Sequence, residues 1–308
     1  MKNGLKRLLQ RQVLVRLASV LVIGLPFFFI GYTLYQNWQE ITEYAWSINY
    51  FYLALSFVVY SLALGLAILS WGAIMRKFGG DCSFMKNARI YCLSSLARRI
   101  PGTLWYVAGR VYWYEKEGIP KLATSAGVLW EMIVLILSGF FVYLLSLLVR
   151  PGLGSVGTPY LLLLAVPLGL VVMYPSVLSR SLNSLLRRLG RRQVVITVSQ
   201  EDTVSWLVRY ALVWVMGGVI LFLFVNAFAP MPLVHLPAVI GIWGVSGAVA
   251  SLAFFVPAGL GIKEVTLVLL LSQYLPLSIA TVLALLLRVW LTLSELIWTL
   301  VFLGLQRL

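Results

Sequence analysis

Histidine, cysteine and acidic residues are all scarce in this chain. Of 308 residues, one is histidine, two are cysteine and ten are acidic, and charged residues of both signs make up only 11%. The single histidine, His235, falls in a short loop between apolar runs, so neither a metal site nor a histidine base is expected, and no cofactor. Two cysteines cannot build a disulfide scaffold; Cys82 and Cys92 sit in a basic part of the chain and read as reduced thiols. No GxxxxGK[ST], GxSxG or HExxH pattern occurs, which removes the common signatures of ATP drive, α/β-hydrolase chemistry and zinc proteolysis. An intramembrane enzyme acting on lipid phosphates is disfavoured because the apolar runs hold neither histidine nor aspartate.

What the chain has in excess is apolar surface. Hydrophobic residues make up 61% without counting 25 glycines, and mean hydropathy is +0.95, whereas soluble domains hold roughly 45–50% with glycine included. That surface cannot be kept from water by one or two soluble domains, so the fold class expected is an all-α polytopic integral membrane protein, a single transmembrane domain over 1–308. A bilayer core of about 30 Å needs roughly 20 apolar residues in a helix. Runs of that kind cover about 14–35, 52–75, 122–149, 158–180, 204–229 and 277–305. The first follows a basic start like a signal peptide, but its apolar core is too long and Phe27, Phe28 and Phe29 replace small cleavage-site residues; it reads as a retained span.

Residues 82–118 and 236–275 fit a single span poorly. Each holds two short apolar segments around a break, Pro101 and Gly102 in one, Pro257, Gly259 and Gly261 in the other. Irregular backbone at membrane depth needs protein or a wet cavity to satisfy it, so both are expected to be re-entrant helical hairpins, with full crossings as the alternative. On that topology 21 of the 24 basic residues share one side with both termini, and Arg150 stands alone opposite. The positive-inside rule makes the basic side cytoplasmic; the prokaryotic cytoplasmic membrane is what the family resemblance given below implies. The net charge of +14 is thus mostly a topology signal, and without a basic soluble module no nucleic-acid partner is expected. The basic loop 180–203 reads as a topology determinant, with acidic lipid or a partner protein as the other option.

Span, span, hairpin, span occurs twice, over 14–149 and 158–305. Three crossings per half would make the second copy an inverted repeat of the first. Pro101 to Pro120 and Pro257 to Pro276 have equal spacing, and each second proline opens a long apolar run. The charges that escape the topology pattern are Lys263, Arg288 and the acids Glu131, Glu264 and Glu295, all within apolar stretches. A mid-bilayer charge costs roughly 2.5–3.5 kcal/mol on insertion scales, so these groups need partners, protons or water. Symmetry between the halves would bring Glu131 to Arg288. A structural ion pair and a role in headgroup or proton handling are both open for them. Lys263 and Glu264 are adjacent, so a helix would point them about 100° apart and only Glu264 would face inward. Arg98, Arg99 and Arg110 flank the first break, where a helix start favours phosphate; anchoring of Arg98 and Arg99 at an anionic interface is the alternative.

The segment Arg99-Ile-Pro-Gly-Thr-Leu-Trp-Tyr-Val-Ala-Gly-Arg110, followed by Gly118-Ile119-Pro120 and Glu131, resembles the first signature of the lysylphosphatidylglycerol synthase transmembrane-region family, flippase-like integral membrane proteins. The segment Phe255-Val-Pro-Ala-Gly-Leu-Gly-Ile-Lys-Glu264, then Arg288 and Glu295, resembles the second. Ala258 stands where that signature has glycine and Lys263 where it has arginine, and a lysine cannot grip phosphate bidentately. The resemblance spans most of the chain in order. It implies a relative of the membrane half of the multiple peptide resistance factor, without that protein's aminoacyl-transfer domain, so a transporter-like protein and not an enzyme is expected. The implied activity is translocation of an anionic phospholipid or a polyprenyl-phosphate-linked lipid. Arg98, Arg99, Arg110, Lys263 and Arg288 would hold the headgroup, and Glu131, Glu264 and Glu295 would pair with them or carry protons. A non-catalytic partner of a glycosyltransferase or lipid-modifying enzyme is the alternative.

Overall fold

The computed structural model describes residues 24–97, 104–149, 198–252 and 261–305, with 184 and 187 as isolated positions. Among these there is no strand. In chain order the helices are α1 (24–36), α2 (Trp38–Glu43), α3 (Tyr50–Lys77), α4 (Phe84–Ala97), α5 (Leu104–Lys116), α6 (Lys121–Leu148), α7 (Gln200–Asn226), α8 (Leu236–Leu252, preceded by a 3₁₀ turn at Leu233–His235), α9 (Ile262–Leu271) and α10 (Leu277–Gly304). Five segments are long and apolar enough to cross a membrane: α3, α6, α7, the 20 residues Leu233–Leu252, and α10. The protein is a helical, multi-pass membrane protein. The expected run at 158–180 and the first part of that at 14–35, residues 14–23, lie outside the described residues, as do the breaks at Pro101, Gly102, Pro257 and Gly259.

Local chemistry sets the helix ends. Asn49 caps α3 by accepting from the Phe51 N–H, and Arg76 and Lys77 sit in its last turn, where cations suit the negative end of the helix dipole. Ser199 and Asp202 form a reciprocal capping box on α7. Lys77 reaches Asp202 at 2.9 Å, tying the basic end of α3 to the start of α7, against which it packs. Pro120 and Pro276 are the N-caps of α6 and α10, with nearly the same backbone (φ −58, ψ 136 and φ −51, ψ 141), and each opens a helix of 28 residues. Proline has no N–H to lose there, and its fixed φ suits a helix start.

The segments expected to be hairpins are pairs of helices packed together, α4 on α5 and α8 on α9. Over the described residues the arms α4, α5 and α9 have 14, 13 and 10 residues, about 21, 20 and 15 Å at 1.5 Å per residue, against a bilayer core of about 30 Å. The first arm of the second pair departs from the half-length expectation. With the 3₁₀ turn it is long enough to cross, because Pro237 falls in its first turn, where proline does not interrupt a helix. Each second arm packs on the long helix that follows it, α5 on α6 and α9 on α10.

Helix α8 packs against α6, α7 and α9, and small residues let the backbones close in. A Cβ on Gly139 would lie 2.9 Å from the Gly244 carbonyl oxygen, and one on Gly218 would lie 2.3 Å from the Ile240 Cα. Lipid offers no hydrophobic drive between helices, so such close van der Waals contact carries much of the association. Two large apolar clusters result, beside a small one of Ile68, Ala88, Cys92 and Phe302 between α3, α4 and α10. One joins α3, α5, α6 and the start of α7 through Trp71, Tyr114, Trp130 and Tyr210. The other joins α7, α8, α9 and α10 through Phe224, Ile242, Val268 and Leu283.

Candidate functional site

Each of the two large clusters holds one ion pair. In the first, Tyr106, Arg110 and Tyr114 recur at a spacing of four along α5, which puts them on one stripe of the helix. Thr124, Glu131 and Ser138 recur at a spacing of seven along α6 and are all buried. Arg110 Nη1 donates to Glu131 Oε2 at 2.5 Å, and the side chains are 0% and 1% exposed. Tyr106 donates to the same oxygen at 2.7 Å, and Tyr210 of α7 donates to Oε1 at 2.8 Å. Arg110 Nε donates to Ser94 Oγ at 3.2 Å. Its guanidinium lies 4.1–4.6 Å from the ring centroids of Trp71, Tyr91 and Tyr106, within cation–π range. A second layer backs this cage: Trp71 Nε1 donates to the Tyr114 hydroxyl, which donates to Asn87 Oδ1. Arg110 was grouped above with the headgroup residues; here it is enclosed by three rings and held by a carboxylate.

The second pair is built differently. Gly261 takes φ +84 and touches Pro26, which a Cβ would approach to 2.2 Å, so only glycine fits this turn. Its N–H donates to Glu264 Oε2 at 2.8 Å, which caps α9. The other oxygen, Oε1, accepts from Arg288 Nη1 of α10 at 2.6 Å. This arginine is 27% exposed and its glutamate 12%. Lys263 Nζ stands 3.5 Å over the Trp243 ring of α8. Lys263, Glu264 and Arg288 together line an open cavity of about 80 Å³ whose apolar wall is Trp243, Leu267, Ala284, Leu287 and Leu291. Adjacency did not separate Lys263 from Glu264: both reach the cleft, because the long lysine side chain folds onto the indole.

The expected meeting of Glu131 and Arg288 does not occur. Glu131 pairs with Arg110 and Arg288 with Glu264, because α5 packs on α6 and α9 on α10, in each case the next helix in sequence. Both pairs join the second arm to the helix opened by proline, with the signs exchanged. Glu295 is buried farther along α10, the helix that also packs on α4, and does not line the cleft. Arg98 and Arg99 lie outside the described residues. Among those described, no group of three or more His, Cys, Asp or Glu side chains could hold a metal ion. Tyr106, Tyr210, Trp71, Asn87 and Trp243 are site residues that the charge pattern missed; the four-residue spacing of Tyr106, Arg110 and Tyr114 was the available signal. No family model, curated protein or solved structure matches this chain.

Proposed function

We propose that this protein translocates a phosphate-bearing anionic lipid across the cytoplasmic membrane, and that the cleft between α8, α9 and α10 takes the headgroup. The observation that carries this reading is the pair Arg288–Glu264, open to a cleft that also receives Lys263 inside an otherwise apolar bundle. Two cations facing one carboxylate leave a net positive site, which suits one phosphate. Keeping such charge among apolar helices is costly, and charged side chains are retained there where a polar cargo passes. Arg110 and Glu131, paired and enclosed away from the cleft, act as a structural tie. In this reading both hairpins re-enter the membrane, the halves form an inverted repeat, both termini are cytoplasmic, and the lipid chains stay in the bilayer.

The test is a reconstituted assay in which fluorescent phosphatidylglycerol, phosphatidic acid and polyprenyl phosphate are followed across proteoliposomes. A Glu264→Gln, Arg288→Gln double variant should lose transport of the accepted lipid while still inserting and folding. Transport by that variant at the wild-type rate, or no transport of any probe by the wild type, would sink the proposal.

A further inference from the structure

Helix α10 is held unevenly. Its backbone packs closely on α9 and α4, but scarcely comes within 8 Å, Cα to Cα, of α3. The space between α3 and α10 is bridged by two indoles. Trp290 Nε1 donates to Ser56 Oγ at 3.0 Å, and Trp298 Nε1 donates to Ser61 Oγ at 2.9 Å. The Trp290 ring also meets Phe57 edge-on at 6.5 Å between centroids. Where α6 and α7 meet α8 the helices close through glycine; α3 and α10 are spaced by large side chains, joined by these polar contacts and, beyond Ser61, by an apolar cluster of Ile68 and Phe302 against which Leu64 and Trp298 pack.

These bridges are built to part. Ser56 and Ser61 each donate their own hydroxyl proton back to a carbonyl of α3, Leu53 at 2.7 Å and Phe57 at 2.8 Å. When the indole leaves, the serine keeps that bond, and only an indole N–H needs a new acceptor. Ester and phosphate oxygens of a lipid are such acceptors, and tryptophan commonly occupies positions with one apolar and one polar surrounding. The seam and the cleft border one apolar cluster. Leu267, Ala284 and Leu287 of the cleft wall belong to the apolar cluster against which Leu53 of α3 and Trp290 and Leu291 of α10 pack. On the far side of α10, Arg288 supplies the charge an anionic headgroup would seek.

We propose that the seam between α3 and α10 is the lateral opening through which the hydrocarbon tail of an anionic lipid reaches into the bilayer while its phosphate sits at Arg288. This inference rests on the lipid reading of the cleft. Trp290 and Trp298 are the closing bonds of the seam, and the tail, not a soluble phosphate, is what parts them.

Photolabelling tests it in nanodiscs with a phosphatidic acid that carries a diazirine midway along one acyl chain, the adducts being mapped by mass spectrometry. The criterion is displaceable labelling, since any lipid-facing helix acquires background adducts. Adducts on α3 around Ser56 and Ser61 and on α10 around Trp290 and Trp298 should be displaced by unlabelled phosphatidic acid, and not by phosphatidylcholine or inorganic phosphate. They should fall about tenfold in Arg288→Gln, which loses a charge-assisted bond to the headgroup. They should rise in Trp290→Phe and Trp298→Phe, about threefold for each interhelical bond removed. Ser56→Ala and Ser61→Ala should give the same rise with both indole rings in place, which covers a tryptophan variant that fails to fold. Displaceable adducts confined to other helices, or labelling indifferent to all four bridge variants, would overturn the lateral opening and leave the cleft reading standing. Displacement by inorganic phosphate alone would make the cleft a phosphate site with no lipid tail at the seam. No displaceable adduct anywhere would overturn the seam and the lipid reading together.

Discussion

The two ion pairs occupy corresponding places and have opposite surroundings. Each links the second arm of a helix pair to the long helix that follows. The Arg110–Glu131 pair has no exposed surface to speak of, three donors converge on its carboxylate, and three aromatic rings enclose its guanidinium. The Glu264–Arg288 pair shares its carboxylate with one backbone N–H and opens onto a cleft beside a second cation. A carboxylate enclosed out of reach of solvent by three side-chain donors has no other partner to take. One that keeps its helix cap when the arginine leaves can take another. On the proposed reading, the same pairing of charges serves as a tie between α5 and α6 and as an exchangeable contact between α9 and α10.

The sharpest way to break this contrast is to remove one charge from each pair. Glu131→Gln leaves Arg110 buried without a counter-charge, and breaking a buried pair in this way costs about 3–5 kcal/mol; thermal unfolding in detergent should show a large loss or no folded protein. Glu264→Gln, in the more open pair, keeps an acceptor for the Gly261 N–H and leaves Arg288 in contact with the cleft, so it should cost clearly less in the same measurement. Equal losses would abolish the distinction. Next in size is Tyr210→Phe, which removes a hydrogen bond to a buried carboxylate worth about 1.5–3 kcal/mol and should lower thermal stability with no effect on lipid transport.

Glycine separates the two halves at a smaller scale. Gly261→Ala forces an alanine into φ +84 against Pro26, a strain of order 1–3 kcal/mol that should lower both stability and transport. Gly109→Ala, in α5, meets nothing closer than the Ala97 Cβ at 3.8 Å and should be neutral or stabilising by up to about 1 kcal/mol through helix propensity. The smallest effect concerns Cys82, in the loop before the first helix pair. Burial, and then the nearby Glu117 carboxylate, raise its thiol above the ordinary cysteine range. Its maleimide labelling at pH 7.5 should be slower than that of a free cysteine, accelerate with rising pH, and stay unchanged when phosphatidic acid is added. Lipid-dependent labelling would mean that the first half moves as well.

Much of this arrangement was legible in the sequence, for stated reasons. Pro120 and Pro276 mark the starts of α6 and α10 because proline suits only the first turn of a helix. Glu131, Glu264, Glu295, Lys263 and Arg288 were legible as unusual because each interrupts an apolar run. Their partners were not. Arg110 meets Glu131 across 21 residues and Tyr210 meets it across 79, and such contacts depend on which helices pack together. Symmetry suggested a pairing across the halves, whereas contact between an arm and its own following helix decided it. Composition also understated α8, since glycines that would weaken a helix in water permit close packing in this bundle.

The difference between the pairs is tested most directly by lipid-induced thermal stabilisation of the detergent-solubilised protein with short-chain phosphatidic acid. A ligand at 100 times its Kd adds about 2.7 kcal/mol to stability, which is readable as a rise in Tm. The expected result is that wild type and Tyr210→Phe both show this rise, from a lower starting Tm in the variant, while Arg288→Gln keeps a near-normal starting Tm and loses the rise. A full rise in Arg288→Gln, or its loss in Tyr210→Phe alone, would contradict the assignment of the lipid site to the second pair.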